Sequence, residues 1–130
     1  MTNTAPPITV TRTAPVFRSI DAAQARAFYV DWLGFEWVGE HRFHDGAPLY
    51  AFLRLGDFHL HLSEHHGDAT PGSTTCIFVT GLRDWHAALL ARPYVNNRPG
   101  LQDQDWGLEM AVTDPCGNRL RFLDQSETGA

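Results

Sequence analysis

The chain predicts an α+β fold built from two tandem βαβββ modules, and three observations carry that prediction. The order strand, helix, three strands can be read twice, over about residues 15–63 and 74–123. A polar stretch holding glycine and proline, Glu64–Gly72 (EHHGDATPG), separates the two copies. Residues 49–63 (LYAFLRLGDFHLHLS) read as a hairpin with one apolar face and one polar-aromatic face. The halves share little sequence beyond this order, so the repeat is one of structure. Two such units can join into a curved mixed sheet with the helices outside and a cleft on the inner face.

Each element has a local cause. Val16–Ile20 reads as a short strand, and Asp21 caps a helix over Ala22–Leu33. Ala25, Phe28, Tyr29, Trp32 and Leu33 recur at steps of three and four, which lays one apolar stripe against a sheet. Gly34 stops that helix. Residues 35–43 form a strand with a polar tail, and His44-Asp45-Gly46 turns the chain. Residues 48–55 and 58–63 pair around Gly56-Asp57, a two-residue loop suited to a tight primed turn. With Leu55 opposite Phe58, Leu53 meets Leu60 and Ala51 meets Leu62 on the apolar face. Arg54 then meets His59, Phe52 meets His61 and Tyr50 meets Ser63 on the other.

In the second half, Thr74–Thr80 is a strand. A helix starts at Asp84 or its neighbours and runs near Arg83–Ala91, with Trp85, Leu89 and Leu82 as its apolar stripe. Pro93 ends it. A loop or short strand covers Tyr94–Asn97, Trp106–Thr113 is a strand, Asp114–Gly117 turns, and Asn118–Leu123 is the last strand. Residues 1–13 are expected to be a mobile arm, 14–125 one domain with halves 14–63 and 73–123, and 126–130 a loose tail.

Composition bounds the function. A chain of 130 residues, 43% hydrophobic and 19% charged, is sized for one domain with a single core. A net charge of −5 argues against nucleic acid, whose binding rests on lysine and arginine neutralising phosphates. It favours a cationic ligand or is an ordinary solubility margin. No run approaches the ~18 apolar residues of a membrane span, and the N-terminus lacks the regions of a secretory signal. Cys76 and Cys116 match no paired-zinc or CxxC spacing, which fits a reduced, cytoplasmic setting with Cys76 a buried, inert thiol. Ser63 shares a face with His61, but no third orienting group completes a nucleophilic triad.

Several segments resemble the vicinal-oxygen-chelate superfamily of glyoxalases, extradiol dioxygenases and bleomycin-resistance proteins. VFRSIDAAQARAFYVDWLGF (16–35) is similar to its opening strand and helix, through Phe17, Arg18, Ser19, Asp21, Phe28-Tyr29 and Leu33-Gly34-Phe35. DPCGNRLRF (114–122) resembles its closing "DP-x-G-N" turn and strand. QDWG (104–107) with Glu109-Met110 resembles the "Q-P-W-G" segment of the bleomycin-resistance branch.

That resemblance implies four metal-ligand positions, which fall here on Ala14 (or Pro15), His61, Thr74 and Arg121. Only His61 is a good ligand, whereas a catalytic zinc normally takes three protein ligands, and an arginine repels a cation. No metal or other cofactor is therefore expected. The expected site is a recognition wall of Tyr50, Phe52, Arg54, His59, His61, Phe78 and Arg121, with Arg18 beside them. Trp106 joins it if its strand enters the cleft as in the resistance branch. Because bleomycin-type ligands are cationic, Arg54 and Arg121 should be paired with carboxylates or swing aside; otherwise the ligand is neutral or anionic. The implied function is metal-independent binding and sequestration of a planar or glycopeptide-like small molecule by a homodimer. The alternative is a metal-dependent lyase, isomerase or dioxygenase of the same superfamily.

Overall fold

The computed structural model describes residues 6–92, 94 and 97–127. The first module comprises β1 (Val16–Arg18), α1 (Ala22–Arg26) continued by a π-helical segment (Ala27–Trp32), β2 (Glu36–His41), β3 (Tyr50–Leu55) and β4 (Phe58–Ser63). The second comprises β5 (Thr74–Phe78), α2 (Leu82–Ala91), β6 (Gln102–Gln104), β7 (Gly107–Thr113) and β8 (Arg119–Asp124), followed by a 3₁₀ turn (Gln125–Glu127). Each module supplies one four-stranded mixed sheet. The orders are β1-β4-β3-β2 and β5-β8-β7-β6, and the first strand of each is parallel to the last. The repeat read from the pattern is thus a repeat of topology.

The β3–β4 register is the expected one at every pair, from Tyr50–Ser63 to Leu55–Phe58. Phe17, Ala51, Leu53, Leu60 and Leu62 are buried on one face of the first sheet. Ile77, Leu108, Met110, Val112, Leu120 and Phe122 are buried in the second. Full burial of one such side chain contributes about 1.5–3 kcal/mol, so a two-sheet core of this size outweighs any single surface contact.

Between the helices lies an aromatic junction. The Trp32 ring stacks on Tyr94 at 5.0 Å, and its indole N–H donates to the Leu89 carbonyl at 3.1 Å. Phe28 meets Tyr29 edge-on at 4.7 Å.

The structure corrects several local expectations. The first helix is α-helical only to Arg26. Beyond it the Leu33 amide donates to the Phe28 carbonyl at 3.1 Å, a five-residue step. The wider turn lets Phe28, Tyr29, Trp32 and Leu33 all face the interior, as their burial shows. The second helix starts at Leu82, a neighbour of Asp84, which lies in its first turn, and its N-cap residue makes no side-chain cap. Its N-cap is Gly81, at φ +77°, and the Leu82 amide donates instead to Asp124 of β8 at 3.1 Å. The sixth strand is Gln102–Gln104, which the sequence did not mark; of the loop or short strand expected over 94–97, residues 95 and 96 lie outside the described set. Trp106 sits in the turn before β7 and not on the strand. Cys76 is exposed, because it points from β5 to the face opposite the buried Ile77.

One glycine is required by its surroundings. Gly107 has φ +143°, and a Cβ there would stand 2.9 Å from the Asp124 carbonyl oxygen. Trp106 can therefore project from a tight β6–β7 turn laid against the end of β8.

Candidate functional site: a histidine-aromatic wall

The face of the first sheet opposite the core gathers five of the expected residues: Tyr50, Phe52 and Arg54 from β3 with His59 and His61 from β4. Alternation along two paired strands brings them together, and the tight turn at Gly56-Asp57 holds the register. The Phe52 and His61 rings meet edge-on at 5.0 Å, and the Tyr50 hydroxyl lies 2.8 Å from His61 Nδ1. A register shift in β2 between Trp37 and Gly39 adds Val38, which is 55% exposed.

Electrostatics divide this wall. Burial, then the charges of Arg12 and His59, hold the His61 imidazole below its usual pKa, which favours the neutral ring. Burial, then Asp68, push the Tyr50 phenol up, so it keeps its proton. A protonated phenol is the stronger donor and a bare imidazole nitrogen the stronger acceptor. Tyr50 therefore donates to Nδ1 and leaves the His61 proton on Nε2. Tyr50 lines a hollow of about 330 Å³ with His41, Phe43, His65 and Asp68. A separate cavity of about 220 Å³ is lined by Arg12, Val38, Phe52, Leu53, Arg54, His59 and His61.

The arginines are disposed as the charge argument required. Arg54 pairs with Glu36 at 2.6 Å. Arg121 Nε donates to Glu109 at 2.6 Å. Arg18 is taken out of the wall, since its guanidinium donates to the Glu64 carbonyl at 2.6 Å.

The remaining expected residues lie elsewhere. Arg121 is on the second sheet, in a polar cavity of about 510 Å³ with Thr74, Gln102, Glu109 and Arg119. Phe78, 63% exposed, lines a shallow hollow with Leu123 and Gln125. Trp106 is 49% exposed in its turn. Within one chain five of the eight residues thus share one wall on the first sheet, Arg121 and Phe78 sit in separate hollows of the second, and Trp106 stands at a turn. Arg12, Val38, Glu36 and Glu109 were missed. Glu36 follows from the β2–β3 register, but nothing in the arm's sequence marks Arg12.

The family's metal positions do not fit an ion. Ala14 offers no donor, Thr74 and Arg121 lie on the second sheet, and the Arg121 cation already holds Glu109. Among the described residues no three His, Cys, Asp or Glu side chains come together as a metal site. No helix among them is long and apolar enough to cross a membrane.

Comparison with known proteins supplies the family. A family model described as "Glyoxalase superfamily protein" matches residues 1–129. No curated protein matches the chain. The fold is similar to the bleomycin-binding protein of bleomycin-producing Streptomyces verticillus, solved with copper(II)-bleomycin. That match has 27% identity and TM-score 0.66 and covers 91% of this chain and 98% of that one. An antibiotic-binding protein from Streptomyces sp. CB03234 matches at 18% identity and TM-score 0.69, covering 92% of this chain and 98% of that one. A bleomycin resistance determinant encoded on the transposon Tn5 matches at 22% identity and TM-score 0.61, covering 88% and 98%. The chain belongs to the glyoxalase superfamily, and its fold is that of the bleomycin-binding and bleomycin-resistance proteins.

Proposed function

We propose that this protein binds and sequesters a small organic molecule, without a metal and without changing it chemically. The observation that carries this reading is the wall itself. Tyr50, Phe52, His59 and His61 offer ring surfaces and hydrogen-bonding groups to open cavities, while the arginines on β3 and β8 are tied to Glu36 and Glu109. Aromatic faces suit planar rings, and the few polar groups fix orientation. The likeness to the Streptomyces verticillus protein supports a natural-product ligand of the bleomycin kind.

Two walls on two separate sheets favour a homodimer in which a second copy completes the cleft, with Trp106 and Phe78 as exposed apolar contributors. In that arrangement Trp106, Phe52 and Tyr50 stack on ligand rings, and His59 and His61 hydrogen-bond. A cytoplasmic location accords with two free cysteines among the described residues.

A thermal-shift panel with bleomycin, phleomycin and aromatic natural products, run with and without EDTA, tests the proposal. Binding to the folded state raises the melting temperature by mass action. The expected result is a rise with at least one compound that EDTA leaves unchanged and Trp106→Ala weakens. Stoichiometric zinc, nickel, iron or manganese in untagged protein overturns it, as does affinity unaltered by Trp106→Ala for the stacking role.

A further inference from the structure

The 220 Å³ cavity on the first sheet has a chemistry of its own. Its apolar surface comes from Phe52 and Val38, and its polar groups are Arg12, Arg54, His59 and His61. Among the described residues no carboxylate lines it. Arg54 is offset by Glu36, outside the lining, whereas Arg12 has no carboxylate partner among the described residues. One permanent positive charge is thus left without a counter-charge beside an imidazole N–H at His61 Nε2 and the ring of His59. A guanidinium fork and an adjacent N–H match the two oxygens of a carboxylate, and one unbalanced cation matches a single negative charge. The apolar side of the cavity has room for a body of one or two rings, which would lie along Phe52.

We infer that this cavity is an anion subsite that takes the carboxylate of an aromatic or otherwise apolar monoacid, with Arg12 of the N-terminal arm as its charge partner. This rests on the reading above of metal-free small-molecule binding, and it points to an acidic ligand in place of a cationic one of the bleomycin kind. It makes the arm part of the site. The hollow lined by Tyr50 differs, since it holds a carboxylate, Asp68, together with His41 and His65.

The test uses three probes of like size and different charge: 2-naphthoate, 2-naphthamide and 2-naphthylmethylammonium. Each is titrated into the full chain by calorimetry and followed by imidazole ¹⁵N shifts of His59 and His61. The acid is expected to bind about tenfold or more tightly than the amide, with the amine weakest, and to move both histidine signals. Arg12→Gln should collapse the acid-to-amide ratio, Arg12→Lys should restore part of it, and Arg26→Gln on the first helix, which lines neither cavity, should leave it unchanged. Arg12 is exposed on the arm, so its replacement leaves the core intact. Absence of acid binding at millimolar concentration, equal binding of amide and acid, or a ratio indifferent to Arg12→Gln overturns the inference. The bleomycin-type panel and Trp106→Ala judge the broader binding reading separately, since neither depends on the acid.

Discussion

Tyr29 donates its hydroxyl to Asp114 across 2.6 Å, although the two residues lie 85 positions apart. The bond joins the helix of the first module to the β7–β8 turn of the second. Asp114 also accepts from the Cys116 amide at 2.9 Å and the Asn118 amide at 2.8 Å. The Asn118 side chain reaches back to Asp114 at 3.0 Å and to the Arg18 carbonyl at 2.8 Å. The closing-turn motif therefore pins the two modules together as well as turning the chain. Burial, then the Asp114 charge, raise the Tyr29 pKa well above the ordinary phenol value, so it stays a donor throughout the physiological range.

Tyr29→Phe should destabilise the protein by about 1.5–3 kcal/mol, the usual worth of a hydrogen bond to a charged group. Asp114→Ala should cost more, because it strands the Tyr29 hydroxyl and two turn amides together. Urea unfolding of both variants checks the order, and a Tyr29→Phe loss equal to or above that of Asp114→Ala contradicts it.

Asp124 sets an acid limit on stability. It is fully buried, and hydrogen bonds from Ser126, then those from the Leu82 and Ser126 amides, hold its carboxyl below the ordinary value against the opposing effect of burial. A depressed folded-state pKa gives stability that is present above the unfolded value of about 3.9 and is lost as pH falls through the folded one. Asp124→Asn should lower the melting temperature at pH 7. The gap to the parent protein should narrow below about pH 4. A gap independent of pH would mean that the carboxylate charge is not what caps α2.

Gly107→Ala should be poorly tolerated. A Cβ only 2.9 Å from the Asp124 carbonyl forces backbone movement, and the residue must also hold φ +143°. A loss of about 1–3 kcal/mol is expected. Thermal melts check it, and a variant as stable as the parent would show that the β6–β7 turn can reshape freely.

The two carboxylate–arginine pairs should differ in worth. The Glu36 and Arg54 side chains are 58% and 47% exposed, those of Glu109 and Arg121 only 10% and 36%. Water screens the first pair, so Glu36→Gln should change stability by under about 1 kcal/mol. Glu109→Gln should cost clearly more, because it leaves the Arg121 cation against a half-buried, unmatched surface. Equal effects in paired denaturation curves would refute this reading.

Local pattern carried far into the fold. Gly56-Asp57 between alternating runs was enough to place every pair of the β3–β4 hairpin, and with it Tyr50, Phe52, Arg54, His59 and His61 on one face. Burial of Phe28, Tyr29 and Trp32 followed from their helical spacing, although the spacing did not reveal the π-helical step that accommodates them. Gln102–Gln104 was missed because three polar residues carry no apolar alternation, even though their partner β7 follows after a tight turn. Asp124 as the cap of α2 was missed for a different reason: it lies 42 residues from the amide it serves.

By itself the sequence determined the two βαβββ modules, the hairpin register and the residue types on its open face. Those follow from periodicity and turn chemistry, which act between neighbours along the chain. Only the tertiary structure decided that Arg54 and Arg121 are held by Glu36 and Glu109, and that Arg12 lines the cavity beside the histidines. It also decided that Phe78 and Arg121 lie on a different sheet from His61. Charges and arms find their partners through space, at separations that no local pattern encodes.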